Sequence, residues 1–187
     1  SLGTVVMAAS SAAFNIEVIT YDILNAFSQA CTTFVGQNFG AGELKRCKKT
    51  LALCLLEGIA ILAVAVTVFL TFGKTLLAIF NRDPEVIATG YIRLVIVMLS
   101  HIFSLLYEVL SGYLRGFGIS VVPAVLTMLG VCGIRIAWIK LVFPQFQTFR
   151  SIMMAYPISL VSTTLMIFIA VICYHPSKRF AEIKKED

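Results

Sequence analysis

Residues 50–72 read TLALCLLEGIAILAVAVTVFLTF, an apolar run of 23 residues in which Glu57 is the sole charged side chain. A helix needs about 20 apolar residues to cross the roughly 30 Å hydrocarbon core of a bilayer. The run shows no alternation of apolar and polar residues, which argues against a barrel strand. Because lipid offers the backbone no hydrogen-bond partners, the stretch predicts a membrane-spanning helix.

The rest of the chain has the same character. Of its 187 residues 59% are hydrophobic and 13% are charged, and the mean hydropathy is +0.92. A soluble chain of this length has too little interior to hide so much apolar surface. We therefore expect an all-α, polytopic transmembrane helix bundle. Its five predicted spans are about residues 2–35, 50–72, 86–114, 119–143 and 151–174.

Several connections carry boundary signals. Asp83-Pro84-Glu85 combines an N-cap residue, a proline at the first helical position and an acid in the first turn, so the third span is predicted to begin there. Residues 73–81 mix apolar and basic side chains, and we expect them to lie along the membrane interface. Pro157 is predicted to kink the fifth span.

The basic residues indicate the topology. The net charge is +5, but Lys and Arg fall in short clusters between apolar runs, which is typical of a membrane protein and not of a nucleic-acid-binding face. The more basic side is expected to be cytoplasmic, with the N-terminus outside and the C-terminus inside. That side would hold Lys45, Arg46, Lys48, Lys49, Arg115, Lys178, Arg179, Lys184 and Lys185, against Lys74, Arg82, Arg93, Arg135, Lys140 and Arg150 outside.

Polar residues inside the first span are candidate site residues. An ionisable side chain near the bilayer centre costs about 2.5 kcal/mol or more, so it suggests a bundle interior or a wet cavity. Glu17 and Asp22 lie closest to the predicted midplane. The helical repeat predicts two polar files on this helix, which must therefore be surrounded by protein or water. One file holds Asn15, Asp22, Asn25 and Gln29, and the other holds Ser10, Glu17, Tyr21 and Ser28.

The third span carries a continuous polar file at helical spacing, made of His101, Ser104, Glu108, Ser111 and Arg115. Glu108 is either a titrating or cation-binding carboxylate or a structural partner of Arg115. Glu17 is likewise either a coupling acid or a protonated hydrogen-bond donor beside Tyr21. His101 either binds a proton, a cation or the substrate, or is a neutral ring satisfied by a serine.

Other residues favour structural roles. Gly112 and Gly116 have the spacing that permits close helix contact. The five cysteines form no C-x-x-C pair and have no neighbouring histidine, so we interpret them as small hydrophobes. No loop carries catalytic, metal-ligand or nucleotide-binding spacing, and we expect neither an enzyme nor a cofactor.

Three blocks of sequence resemble the C-terminal lobe of multidrug and toxic compound extrusion (MATE) transporters, and bacterial members in particular. The blocks are AAFNIE (12–17) with NAFSQA (25–30) and FVGQNFGAG (34–42), then EVLSGYLRGFG (108–118), then IRIAW (134–138) with YPIS (156–159). Together they extend over nearly the whole chain and occur in the family's order.

The resemblance implies a twelve-helix transporter built from two lobes, of which this chain would supply helices eight to twelve, a partial six-helix lobe. The N-terminal lobe would be the missing partner. Such a protein exports small, drug-like molecules across a bacterial inner (cell) membrane, coupled to H⁺ or Na⁺. Gly36, Gly40 and Gly42 would form the cytoplasmic loop after helix eight. An odd number of spans beginning outside also favours a piece of a longer protein.

One position departs from the family pattern. Several members carry an aspartate where this chain has Ser104, one turn before Glu108. Coupling would then use Glu108, Glu17 or Asp22, or a site in the other lobe.

The expected function is antiport of amphipathic, cationic compounds, with Asn15, Gln29 and Ser104 adding polar contacts. Two alternatives are a lipid-linked saccharide flippase of the same superfamily and a membrane scaffold or fragment without transport activity.

Overall fold

A computed structural model describes residues 3–176 of the chain, and all of its long elements are helices. Residues Val121–Leu141 form one continuous span that contains a π-helical turn. Within residues 3–176, five helices are therefore long and apolar enough to cross a membrane, which agrees with the prediction. The elements are α1 (Gly3–Gly40), α2 (Leu44–Phe80), α3 (Pro84–Gly116), α4 (Val121–Thr127), the π-helical turn (Met128–Gly133), α5 (Ile134–Leu141) and α6 (Phe149–Tyr174).

The first loop is shorter than the sequence suggested. Gly36 and Gly40 lie within α1, so their assignment to the loop was wrong. The reversal takes place at residues 41–43, where Gly42 has a φ of 76° and so uses the left-handed region that glycine tolerates. The hydropathy of the sequence indicates only the part of a helix that lies in the hydrocarbon core. Helix α1 continues to Gly40, beyond the predicted span, because water in the headgroup region can solvate its polar side chains.

Residues 73–80 do not form a separate interfacial helix, which corrects that prediction, because α2 continues to Phe80. No proline interrupts the backbone there, and Gly73 is buried against α3, where an added Cβ would lie 2.8 Å from Leu94 Cδ2. The predicted start of α3 is confirmed. The Asp83 side chain accepts a hydrogen bond of 2.9 Å from the Glu85 backbone N–H, and Pro84 is the first helical residue.

Helix α3 is the centre of the bundle and packs against α1, α2 and α6. Gly112 and Gly116 make its close approach to α1 possible, as predicted. An added Cβ at Gly112 would overlap the Ser28 carbonyl oxygen, and one at Gly116 would lie 2.6 Å from Val35 Cβ. Since the backbones are this close, polar groups of α1 and α3 lie within hydrogen-bond distance.

The fourth and fifth spans contain two irregularities. The π-helical turn was not predicted, and within it Gly130 is buried against Thr163 of α6. π-helical turns are frequent at functional sites, because they redirect the following side chains. Helix α6 continues through Pro157, which lacks the N–H that would otherwise bond to the Met153 carbonyl. The kink itself stays a prediction.

We expect Gly112→Ala to destabilise the protein, because the new methyl group meets a backbone oxygen and not a flexible side chain. Overpacking of this kind costs about 1–3 kcal/mol. Thermal unfolding of the purified protein in detergent measures the effect. Gly40→Ala is the control, because no atom lies within 4 Å of a Cβ added there. Equal melting temperatures for the two variants would contradict the packing of α1 on α3.

Candidate functional site

A buried ion pair joins α1 to α3. Arg93 Nε donates to Glu17 Oε1 and Arg93 Nη2 donates to Glu17 Oε2, each at 2.8 Å. The two side chains are 8% and 7% exposed. Such a bidentate arrangement is the strongest geometry for an arginine and a carboxylate. Both Glu17 oxygens are therefore occupied by a cation, and the alternative in which Glu17 is a protonated donor beside Tyr21 is not what the structure contains.

A second polar cluster lies about one turn further toward the C-terminal end of α1. The Tyr21 hydroxyl donates to Glu108 Oε1 at 2.8 Å, and Glu108 is buried. Arg115 Nη2 donates to Ser28 Oγ at 2.7 Å, and Ser28 Oγ in turn donates to the Glu108 backbone oxygen at 2.6 Å. Glu108 and Arg115 are thus linked through Ser28, and the direct pair that the sequence left open is not among the ion pairs of residues 3–176.

Tyr156 of α6 brings two arginines together. Its ring lies 4.3 Å from the Arg135 guanidinium carbon and 5.4 Å from that of Arg93, both measured to the ring centroid. Arg135 Nε also donates to Ser159 Oγ at 3.0 Å. Cation–π contacts of this kind are strongest where water is excluded. The Glu17–Arg93 pair and Arg135 therefore belong to one cluster that extends from α1 to α6.

A cavity of about 340 Å³ lies beside this cluster, is lined by α1, α3, α6 and the fourth span, and opens to the bundle surface. This volume is in the range of small-molecule sites. Eight of its twelve lining residues are apolar or carry a phenyl or phenol ring, and the other four are Glu17, His101, Ser104 and Arg135. The lining residues are Phe14, Glu17, Val18, Tyr21, Val97, His101, Ser104, Tyr107, Val131, Arg135, Tyr156 and Leu160.

His101 and Ser104 both face this cavity. His101 Nδ1 lies 3.4 Å from Ser104 Oγ, while His101 Nε2 is buried and has no hydrogen-bond partner among the described residues. Buried polar atoms without a partner are rare in proteins, and each calls for a structural or functional reason.

The two predicted polar files of α1 differ in surroundings. The file that contains Glu17 and Ser28 is turned toward α3, where both are buried. In the other file, Asn15, Asp22 and Gln29 are exposed at the surface of this bundle. A second pocket, of about 320 Å³, opens on that surface near Arg115 and is lined by Asn25, Gln29, Thr32, Thr33 and Arg115. The predicted site residues thus fall into a buried group and a surface group.

Arg93, Arg135 and Tyr156 were missed as site residues. Arg93 and Arg135 were assigned to the outer ends of their spans, and Tyr156 was read as a part of a family motif. A signal did exist, because a cation and an acid in different spans of one bundle are expected to pair. Their actual partners depend on how each helix is rotated, which hydropathy does not specify.

These features define a multi-pass membrane protein whose helix bundle holds a largely apolar cavity with a few polar and charged groups. Residues 1–139 match the family model MatE, and the chain belongs to this family. Its members are transporters and not enzymes.

Curated relatives occur in bacteria and in mammals. The chain is 27% identical over 122 residues to "Probable multidrug resistance protein NorM" of Chromobacterium violaceum, a match that covers 65% of this chain and 26% of that protein. It is 34% identical over 130 residues to "Multidrug and toxin extrusion protein 1" of Mus musculus, covering 69% of this chain and 23% of that protein. The chain thus spans about a quarter of the length of the curated relatives it matches.

Solved structures have the same fold. The crystal structure of the eukaryotic MATE transporter AtDTX14 matches 97% of this chain and 41% of its own, with a TM-score of 0.81 and 18% identity. An inward-facing multidrug resistance MATE family transporter matches 88% of this chain and 38% of its own, with a TM-score of 0.74. These likenesses establish the fold of the bundle.

We expect Glu17→Gln to destabilise the protein strongly, because it leaves the Arg93 guanidinium buried without a counter-charge. Removal of one partner of a buried pair costs about 3–5 kcal/mol. Arg46→Ala is the control, since Arg46 and Glu43 pair at 3.8 Å with side chains 70% and 53% exposed. An exposed pair contributes about 1 kcal/mol or less. Thermal unfolding in detergent compares the two, and equal stability would contradict a buried Glu17–Arg93 pair.

Proposed function

We propose that this chain is the C-terminal lobe, helices eight to twelve, of a MATE-type antiporter that exports amphipathic drugs or toxic compounds. The observation that carries the proposal is the cavity lined by α1, α3, α6 and the fourth span in a chain of the MatE family. Relatives named for multidrug resistance and toxin extrusion support it. The chain spans only about a quarter of the length of those relatives, which supports a further N-terminal lobe in the proposed transporter.

The cavity lining suits an amphipathic substrate. Phe14, Tyr21, Tyr107 and Tyr156 offer aromatic rings on which a flat apolar molecule can stack. A cationic group on the substrate would be attracted to Asp22, which is exposed on the surface that the second lobe would face, and to Glu108 behind Tyr21. Export of cationic compounds is therefore compatible with the charges of this lobe.

We assign the coupling role to Glu108, with Asp22 as a second acid, and not to Glu17. The Glu17 carboxylate is held by a guanidinium, so protonation there would leave a buried cation unpaired. Glu108 is instead held by a neutral hydroxyl, and the binding of H⁺ or Na⁺ would remove an uncompensated charge. Neutralising a buried acid changes which conformation is more stable, and this can drive alternating access.

The topology proposed for this lobe follows the basic residues. Lys45, Arg46, Lys48 and Lys49 are exposed at the start of α2, on the proposed cytoplasmic side. Lys178, Arg179, Lys184 and Lys185 belong to the same count but lie outside the described residues. The N-terminal end of α1 would then face outward, in the inner membrane of a bacterium.

A lipid-linked saccharide flippase is the second candidate, because such a substrate carries phosphate and two arginines meet at Tyr156. Arg93 is neutralised by Glu17, however, which leaves a single unpaired cation in the cavity. A membrane scaffold without transport activity is the third alternative, and a transport assay excludes it directly.

We expect Glu108→Gln in the full-length transporter to abolish the dependence of drug efflux on an imposed ion gradient, because the neutral amide can no longer gain or lose a cation. Efflux from proteoliposomes, with H⁺ and Na⁺ gradients varied separately, measures this dependence. Glu57→Gln is the control, since Glu57 is exposed on α2, away from the cavity. Unchanged gradient dependence in Glu108→Gln would contradict the coupling role.

A further inference from the structure

The charged groups that line the cavity or meet at its Tyr156 ring do not balance. Two guanidinium groups, those of Arg93 and Arg135, meet at Tyr156, but Glu17 is the one acid that lines the cavity. Both carboxylate oxygens of Glu17 accept hydrogen bonds from Arg93. Within residues 3–176, Arg135 has no carboxylate partner. Among the residues that line the cavity, one guanidinium therefore has no carboxylate partner, since the Glu108 carboxylate lies behind the Tyr21 hydroxyl and does not line the cavity.

Arg135 is fixed in position by neutral groups. Its Nε bonds to Ser159 Oγ, and the Tyr156 ring lies against its guanidinium face. Its two terminal nitrogens make no hydrogen bond to another described residue. The Arg135 side chain is thus fixed in place before any ligand binds. Its remaining N–H donors form the planar fork that matches an oxyanion.

His101 supplies a second, independent observation. It lines the same cavity, is 6% exposed, and its Nε2 has no hydrogen-bond partner in the described part of the chain. Nδ1 faces the Ser104 hydroxyl, which can donate to it, and in that tautomer Nε2 carries the proton. In that tautomer His101 offers a buried N–H donor beside the chamber that Arg135 lines, and both groups lack an acceptor oxygen.

We propose that the cavity binds the oxyanion group, carboxylate or phosphate, of an amphipathic ligand, with Arg135 as its main contact and His101 Nε2 as a further donor. The apolar body of the ligand packs against Phe14, Val18 and Leu160. Resting on the proposed export function, this inference extends the substrates from cationic compounds to compounds that also carry an acid. An unpaired guanidinium in a membrane is costly, and a bound oxyanion removes that cost.

Other basic residues of the outer half do not offer the same site. Arg93 is fully paired with Glu17. Lys140 is exposed on α5, one and a half turns beyond Arg135, and does not line the cavity. Lys140 therefore provides a matched control, because it lies on the same helix and carries the same charge but does not contact the cavity.

The test measures binding to the full-length transporter in phosphatidylcholine nanodiscs, without an ion gradient. The probes are 1-naphthylacetate, 1-naphthyl phosphate and the uncharged methyl 1-naphthylacetate, which share one apolar body. We expect Arg135→Gln to weaken the binding of both anions about tenfold or more, as loss of a charge-assisted pair does. The ester should change by less than about twofold, and Lys140→Gln should change none of the three.

Arg135→Lys keeps the charge but loses the fork, so it should weaken anion binding to an intermediate degree. This variant gives the same discrimination if Arg135→Gln does not fold. Displacement of the anions by phosphatidic acid added to the nanodiscs assigns the oxyanion to a lipid headgroup, and lack of displacement assigns it to a soluble substrate. Equal weakening of anions and ester, or unchanged anion binding, overturns the proposal.

Efflux of the same probes separates this inference from the proposed function. A protein that binds the anions through Arg135 but transports no probe supports the oxyanion site and contradicts export. A protein that transports the anions equally well with and without Arg135 supports export and overturns the site.

Discussion

The ion pair between Glu17 and Arg93 is the interaction on which the rest of this bundle depends. An isolated charge in the hydrocarbon region is costly, so α1 and α3 must meet wherever these two residues lie. Gly112 and Gly116 allow the backbones to come close enough, and the same contact brings Tyr21 to Glu108 and Ser28 to Arg115. The pair therefore sets the rotation of both helices, and with it the side chains that face the cavity.

The acids of this lobe consequently differ in role although they are similar in sequence. Glu17 is neutralised by a guanidinium and holds two helices together, whereas Glu108 is bonded to a hydroxyl and Asp22 is exposed on the bundle surface. A carboxylate such as Glu17, which holds the helices together, is poorly suited to gain and lose a cation in each transport cycle. The cation left over is Arg135, held by Tyr156 and Ser159, and it determines the charge of the cavity.

Much of the fold could be predicted from local chemistry. Length and hydropathy identified five spans, the Asp83-Pro84-Glu85 signal placed the start of α3, and helical spacing separated the buried file of Glu17 from the exposed file of Asp22. The ends of α1 and α2 were misplaced because helices continue beyond the hydrocarbon core. The π-helical turn and the meeting of Arg93, Arg135 and Tyr156 could not be predicted, because they depend on contacts between helices far apart in the sequence. The position of the candidate site thus followed from single-helix patterns, while its charge balance required the assembled bundle.

The central claim is that the chamber beside the Glu17–Arg93 pair contains water while the outer apolar faces meet lipid. Val18 and Ile59 test it directly, because they are 36% and 42% exposed, but only Val18 lines the cavity. Each is replaced by cysteine in a cysteine-free full-length transporter and treated with a charged methanethiosulfonate reagent, which requires water at the thiol. The account predicts that the thiol at position 18 reacts readily and the thiol at position 59 does not. Equal reaction rates at the two positions would contradict it.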